Sequence, residues 1–239
     1  MTLTKARCAL GPEAAEHDTW ASFVTAMQAG SALFAAATTT QATVECRIDR
    51  EIRTIPATGV QPHAHAGNWI SAFWLAVTYR RKDRMTELCN VPASPLRASG
   101  AVFDEYIYSW IDTLQSYWLQ GEGLGDKLVA TVNGTEPETL DTANRELVSK
   151  VLSPPIGLFY RFVRQDHDQF NSALHDALRW HQEYWTADEE RANSVGGLVA
   201  LGPLAIACLA YGADFPIEVE SDHLPKYLLE RGWVGEFET

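Results

Sequence analysis

Apolar side chains recur along most of this chain at the three- and four-residue spacing of an α-helix rather than the two-residue spacing of a strand. Phe103, Ile107, Trp110, Leu114 and Tyr117, flanked by Tyr106, Ile111 and Trp118, make a broad stripe that predicts a helix with one buried face. After Asp166, the residues Phe170, Leu174, Ala177, Leu178, His181 and Trp185 stay in register and leave Asp168, His175, Arg179 and Gln182 on the opposite side. The same spacing predicts helices over Glu13–Thr38, Asn68–Tyr79, Asp83–Cys89, Leu124–Val132, Glu138–Leu152 and Ile156–Val163. The apolar run Leu198–Tyr211 reads as a further, fully buried helix.

Punctuation along the chain supports this series. Asp166 to Gln169 and Thr186 to Glu189 have capping-box chemistry, in which a short side chain accepts from the third backbone N–H of the helix it opens. Ser94-Pro95 has the residue types of an N-cap and first helical position, and Gly196-Gly197 separates two helices. Strand alternation appears in Val44–Ile55, where Val44, Cys46 and Ile48 predict a hairpin turning near Asp49-Arg50, and in Ile217–Ser221. The expected fold is therefore mostly α, a multi-helix array with one or two minor β segments, forming a single domain over residues 1–239. Residues 72–89 can be laid on 157–174, with Asp83 on Asp168, and 204–215 form a fainter third copy. Such spacing suggests HEAT- or TPR-like helical hairpins.

Composition narrows the class of protein. Apolar residues make up 46% of the chain, enough for a real core. Thirty-one acidic against nineteen basic side chains give a formal charge of −12, which disfavours nucleic acid and anionic lipid and favours a cationic partner. Cys8, Cys46, Cys89 and Cys208 contain no CxxC pair and read as reduced, buried thiols. The N-terminal residues lack the apolar run of a secretory signal, and Leu198–Tyr211 is too short to span a bilayer, so a cytoplasmic location is expected.

Candidate chemistry is sparse. His63 and His65 would share one face of a strand and could offer two metal ligands, but no third ligand stands at a known spacing, and loop histidines capping the next helix fit as well. The glycines between Gly121 and Gly125 lack the frame of a phosphate loop and read as a helix connection. No catalytic residue, resident metal or cofactor is expected. Asp166, Asp188 and Glu189 fit helix-start acids. Glu218 and Glu220 would lie together on one strand face, with Asp222 just beyond them. Trp185 belongs to the core stripe, whereas Trp180 lies off it and can anchor a protein interface.

Taken as a set, Trp20–Thr38, Val44–Asp49, His65–Val77, Asp104–Trp118, Gln165–Leu178, Tyr184–Ala192, Gly197–Tyr211 and Phe215–Trp233 resemble the immunity protein 49 family, bacterial proteins encoded beside polymorphic toxins. The resemblance implies a mostly helical protein that binds and neutralises a cognate toxin and so protects the cell that makes it. It also implies that an upstream segment is missing, because the chain begins within what resembles an internal helix of the family. Charge and exposure place the expected partner surface at Asp166, Asp168, Trp180, Glu189, Glu190, Glu218, Glu220 and Asp222, facing a toxin that could be a cationic, nuclease-like enzyme. Two other readings stay open: a metal-dependent hydrolase using His63 and His65, and a helical-repeat scaffold for several partners.

Overall fold

A computed structural model describes residues 1–239. In chain order it contains α1 (Thr2–Leu10), α2 (His17–Thr38), β1 (Thr43–Ile48), β2 (Glu51–Pro56), α3 (Ala66–Thr78), α4 (Lys82–Cys89), α5 (Ala93–Ala98), α6 (Glu105–Trp118) and α7 (Leu124–Asn133). Then follow α8 (Arg145–Leu147), α9 (Pro154–Val163), α10 (His167–Trp185), α11 (Glu189–Ala192), α12 (Leu201–Gly212) and α13 (Lys226–Leu229). The protein is mostly α, as its periodicity predicts. The only sheet is the expected hairpin, in which Ile48 pairs with Glu51 across the two-residue turn Asp49-Arg50. Asp49 takes the positive φ such a turn needs, and its N–H donates to Gln28 Oε1 at 2.8 Å, fastening the hairpin to α2.

Several boundaries differ from the periodic reading, each for a local reason. The helix predicted from Glu13 starts at His17, because Ala14 has positive φ and its carbonyl accepts from Trp20 Nε1 at 2.7 Å, folding the chain back before α2. The helix predicted over Glu138–Leu152 is broken. Asp104 accepts from the backbone N–H groups of Asp141, Thr142 and Ala143 at 2.8 to 2.9 Å, which holds that stretch in a loop. Helix resumes at Arg145 under an Asn144 cap and widens into a π turn over Val148–Leu152 before the Pro154-Pro155 pair opens α9. Pro92, not Ser94, caps α5, which puts Pro95 in the first turn, where its missing N–H costs nothing. Asp188, not Thr186, caps α11, and the Thr186 hydroxyl donates back to the Gln182 carbonyl at 2.8 Å. Residues Ile217–Ser221 form no strand, having no ladder partner.

The apolar segment Val195–Gly212 has the mean hydropathy of a membrane span, 1.8 over 18 residues. It is nevertheless interrupted: a 3₁₀ turn over Val195–Leu198 precedes the 12-residue α12, whose length of about 18 Å falls short of a bilayer core. Leu204 to Ala207 are fully buried, and α12 packs against α3 and α9. Removing Leu204 and Ile206 from water contributes about 2 kcal/mol each. Gly202 permits this close approach, since a Cβ there would come within 2.7 Å of Pro155 Cγ. The core is one contiguous cluster running from Cys8 to Leu229, with Trp20, Trp69, Phe73, Trp110, Phe159 and Phe170 among its largest members. All four cysteines are free and buried within the fold.

Five helices stop in the same way. Arg80, Gln120, Gln165, Asp214 and Arg231 have φ between 56° and 66° just past α3, α6, α9, α12 and α13. In each case the next N–H reaches back to the carbonyl five residues earlier, the hydrogen-bond pattern of a Schellman motif without its usual glycine. Arg80 and Gln165 are the turns of the two superposable segments, so α3–α4 and α9–α10 are related hairpins. They do not build a linear stack, because α12 contacts both α3 and α9 and the two chain ends meet. Lys5 donates to the Gly196 carbonyl at 2.8 Å, and Gln28 donates to that of Glu238 at 3.0 Å.

Candidate partner-binding surface

A strap over residues 216–223, irregular to Ser221 and then turning at Asp222-His223, lies along α10. At its start the Asn171 side chain grips it from both sides: Nδ2 donates to the Pro216 carbonyl at 2.7 Å and Oδ1 accepts from the Glu218 N–H at 2.9 Å. At its end the His223 ring sits edge-on to His181 at 5.2 Å, and the His223 carbonyl accepts from the Ala200 N–H. Ile217 and Val219 pack toward the core, so Glu218, Glu220 and Asp222 face solvent. Alternation thus places Glu218 and Glu220 on one side of the segment, as a strand would, with a single asparagine replacing the ladder.

Beside the strap lies a groove of about 370 Å³, lined by Glu13, Glu220, Asp222 and Glu230 together with Lys226. Glu13 comes from the opposite end of the chain and is drawn in when its carbonyl accepts from the Tyr227 N–H at 2.9 Å; Trp233 Nε1 donates to Ala15 at the same distance. None of the four groove carboxylates has an ion-pair partner within 4 Å. Some other acids of this half of the chain are compensated. Asp176 and Glu183 pair with Arg179, Asp188 with Arg191, and Glu146 with both Lys150 and Arg191. Four carboxylates against one ammonium therefore leave a local excess of negative charge.

The remaining sequence-derived candidates do not join this groove. Asp166 and Asp168 stand at the start of α10, while Glu189 and Glu190 lie beyond its end, and 19 helical residues separate the two pairs by about 28 Å. They are exposed acids at two places, not one patch. Asp166 also has a structural task, accepting from the Gln169 N–H at 3.2 Å. Glu218 neighbours the start of α10 through Asn171, so Asp168 and the strap share one end of that helix. Trp180 is half-buried, with the Arg179 guanidinium 5.6 Å from its ring. Trp185 lies over Gly196 and Gly197, where any Cβ would come within 2.7 Å of the indole. His65 caps α3, its Nδ1 accepting from the Asn68 N–H at 3.2 Å, and His63 lies exposed in the preceding turn. Burial and the neighbouring His63 lower the pKa of His65, and no group of three His, Cys, Asp or Glu side chains suited to a metal gathers around the pair.

Glu13 and Glu230 carry no sequence signal of their own, since only the meeting of the chain ends brings them to Glu220 and Asp222. No curated protein and no solved structure matches the chain. The model of the family described as Immunity protein 49 matches residues 11–228, which take in the helical core, the strap and most of the groove, and the chain belongs to that family.

Proposed function

We propose that this immunity-family protein binds a cognate toxin directly, in the cytoplasm of the cell that makes both, and that the groove formed by Glu13, Glu220, Asp222 and Glu230, with Glu218 on its flank, receives a cationic surface of that toxin. The observation that supports this most is the concentration of four carboxylates without ion-pair partners in one concave place. Such a field raises the encounter rate with a basic partner, and carboxylates can occupy positions that phosphates take in a nuclease channel. Protection then comes from occupying the toxin, with no chemical step on the immunity protein.

The test is association kinetics with the toxin domain encoded by the adjacent gene. Reversing Glu220, Asp222 and Glu230 to lysine is expected to slow association roughly tenfold or more at low salt, to weaken its dependence on ionic strength, and to abolish rescue of cells expressing the toxin. Unchanged association in that variant would overturn the groove assignment. Reversing Glu189 and Glu190, at the far end of α10, is expected to have a much smaller effect and controls for net charge.

A further inference from the structure

A second, larger concavity of about 460 Å³ opens between α3, α6 and the start of α12, and it shares no lining residue with the acidic groove. Its walls are apolar: Ile70 and Trp74 from α3, Ile107 and Trp110 from α6, Leu152 from the π turn and Leu201 from α12. Of the polar groups that border it, two already have partners. Both Asp104 oxygens accept from backbone N–H groups of the 141–143 loop, and His181 Nε2 lies 2.9 Å from the Gly197 carbonyl, which requires the proton on that nitrogen.

Two more are buried without a partner, and Lys5 keeps donors to spare. Tyr106 is only 2% exposed, yet its hydroxyl has no hydrogen-bond partner, and the same holds for the indole N–H of Trp185. Leaving a donor buried and unpartnered costs about 1–3 kcal/mol, but neither atom has accessible surface, so neither opens into the cavity. Lys5 uses one N–H on the Gly196 carbonyl, beside the Trp185 ring, and no carboxylate lies within 4 Å of its ammonium. Burial lowers its pKa to about 8, against the small opposing effect of Cys8. The amine is thus still largely charged near neutral pH. A cavity of this size, mostly apolar with one uncompensated cationic group, has the build of a small-molecule site.

We infer that this cavity binds a small carboxylate with an apolar body, its anionic head at the Lys5 ammonium and its body lying against Trp74, Ile107 and Trp110. The polarity decides between ligand classes. An amine would be repelled by the Lys5 ammonium, and a neutral alcohol would leave that ammonium without its counter-charge.

Three tryptophans line the cavity, so ligand entry is readable as a change in intrinsic fluorescence, with calorimetry to give stoichiometry. Decanoate, 1-decanol and decylamine serve as probes of one length and three head groups. The expected result is saturable one-to-one binding of decanoate, roughly tenfold or more tighter than 1-decanol, and none of decylamine. Lys5→Met should remove the preference for decanoate over 1-decanol. Ile70→Trp, which fills the cavity from a half-buried position on α3, should abolish decanoate binding while circular dichroism and cooperative melting are retained. Absence of saturable decanoate binding to the wild type, equal binding of all three probes, or an unaltered head-group preference in Lys5→Met would overturn the inference. Toxin association is a separate measurement, so failure here leaves the acidic groove untouched.

Discussion

His181 shows how one side chain links burial to acid stability. It is 4% exposed, and burial lowers its pKa to about 4, opposed by its bond to the Gly197 carbonyl and aided by the repulsion of His223 and Lys5. The unfolded chain takes up a proton near 6.5 and the folded chain only near 4. Between those values the unfolded state binds more protons, so folding is fully supported above 6.5 and weakened as the pH falls toward 4. The shift corresponds to about 3 kcal/mol across that window. Urea unfolding of wild type and His181→Gln at steps from pH 7 to 4 is expected to show the wild type losing that much more stability than the variant. Parallel curves would show that the imidazole is not held neutral. Asp104 acts lower on the pH scale: burial pushes its carboxyl up, but three backbone donors outweigh that and hold it below the usual carboxylate range. Its contribution is present above about pH 4 and lost only below, so the two effects separate.

Helix ends carry the next level of organisation. The shared stop after α3, α6, α9, α12 and α13 is made with Arg, Gln, Gln, Asp and Arg where glycine is the common choice, and an L-residue in that conformation costs about 1 kcal/mol. Arg80 has compensation, since its guanidinium donates to the carbonyls of Thr78, Leu228 and Leu229 and thereby caps α13 as well. Gln165 has none: it is exposed and makes no side-chain bond. Gln165→Gly is therefore expected to raise the melting temperature by about 2–4 °C, and Gln165→Val to lower it. A Gly variant that melts at or below the wild type would contradict the strain argument. These ends also explain what the sequence made legible. Amphipathic period located α3, α6, α9 and α10 to within a few residues because each buries one stripe, and the alternation of Val44 to Ile48 located the hairpin. The loop at 140–144 stayed hidden because its cause, Asp104, lies far upstream. The strap at 216–223 has strand alternation without a strand because Asn171 replaces the ladder. At the candidate site, Glu218, Glu220 and Asp222 were readable from their own spacing, whereas Glu13 and Glu230 became neighbours only through a backbone bond between the two ends of the chain.

That meeting of the ends sets how the whole molecule should unfold. In a solenoid each repeat touches only its neighbours, so segments can be lost one at a time and the remainder persists. Here Lys5 is tied to Gly196, Glu13 to Tyr227, Ala15 to Trp233 and Gln28 to Glu238, and α12 fills the space between α3 and α9. Stripping the chain beyond α12 would take Leu228 and Leu229 out of the core and leave the Arg80 guanidinium without its partners on α13. No boundary divides the core cluster that runs from Cys8 to Leu229. The expectation is one cooperative transition, despite a length at which many chains populate intermediates and despite hairpins that could have stacked as repeats. Far-ultraviolet circular dichroism, which follows the helices, and tryptophan fluorescence, which follows packing from Trp20 through Trp233, should give superimposable urea curves with one midpoint. Two resolved midpoints, or a fluorescence change that precedes the loss of helix, would mean that the α3–α4 and α9–α10 halves are separable units and that contact between the ends is too weak to couple them.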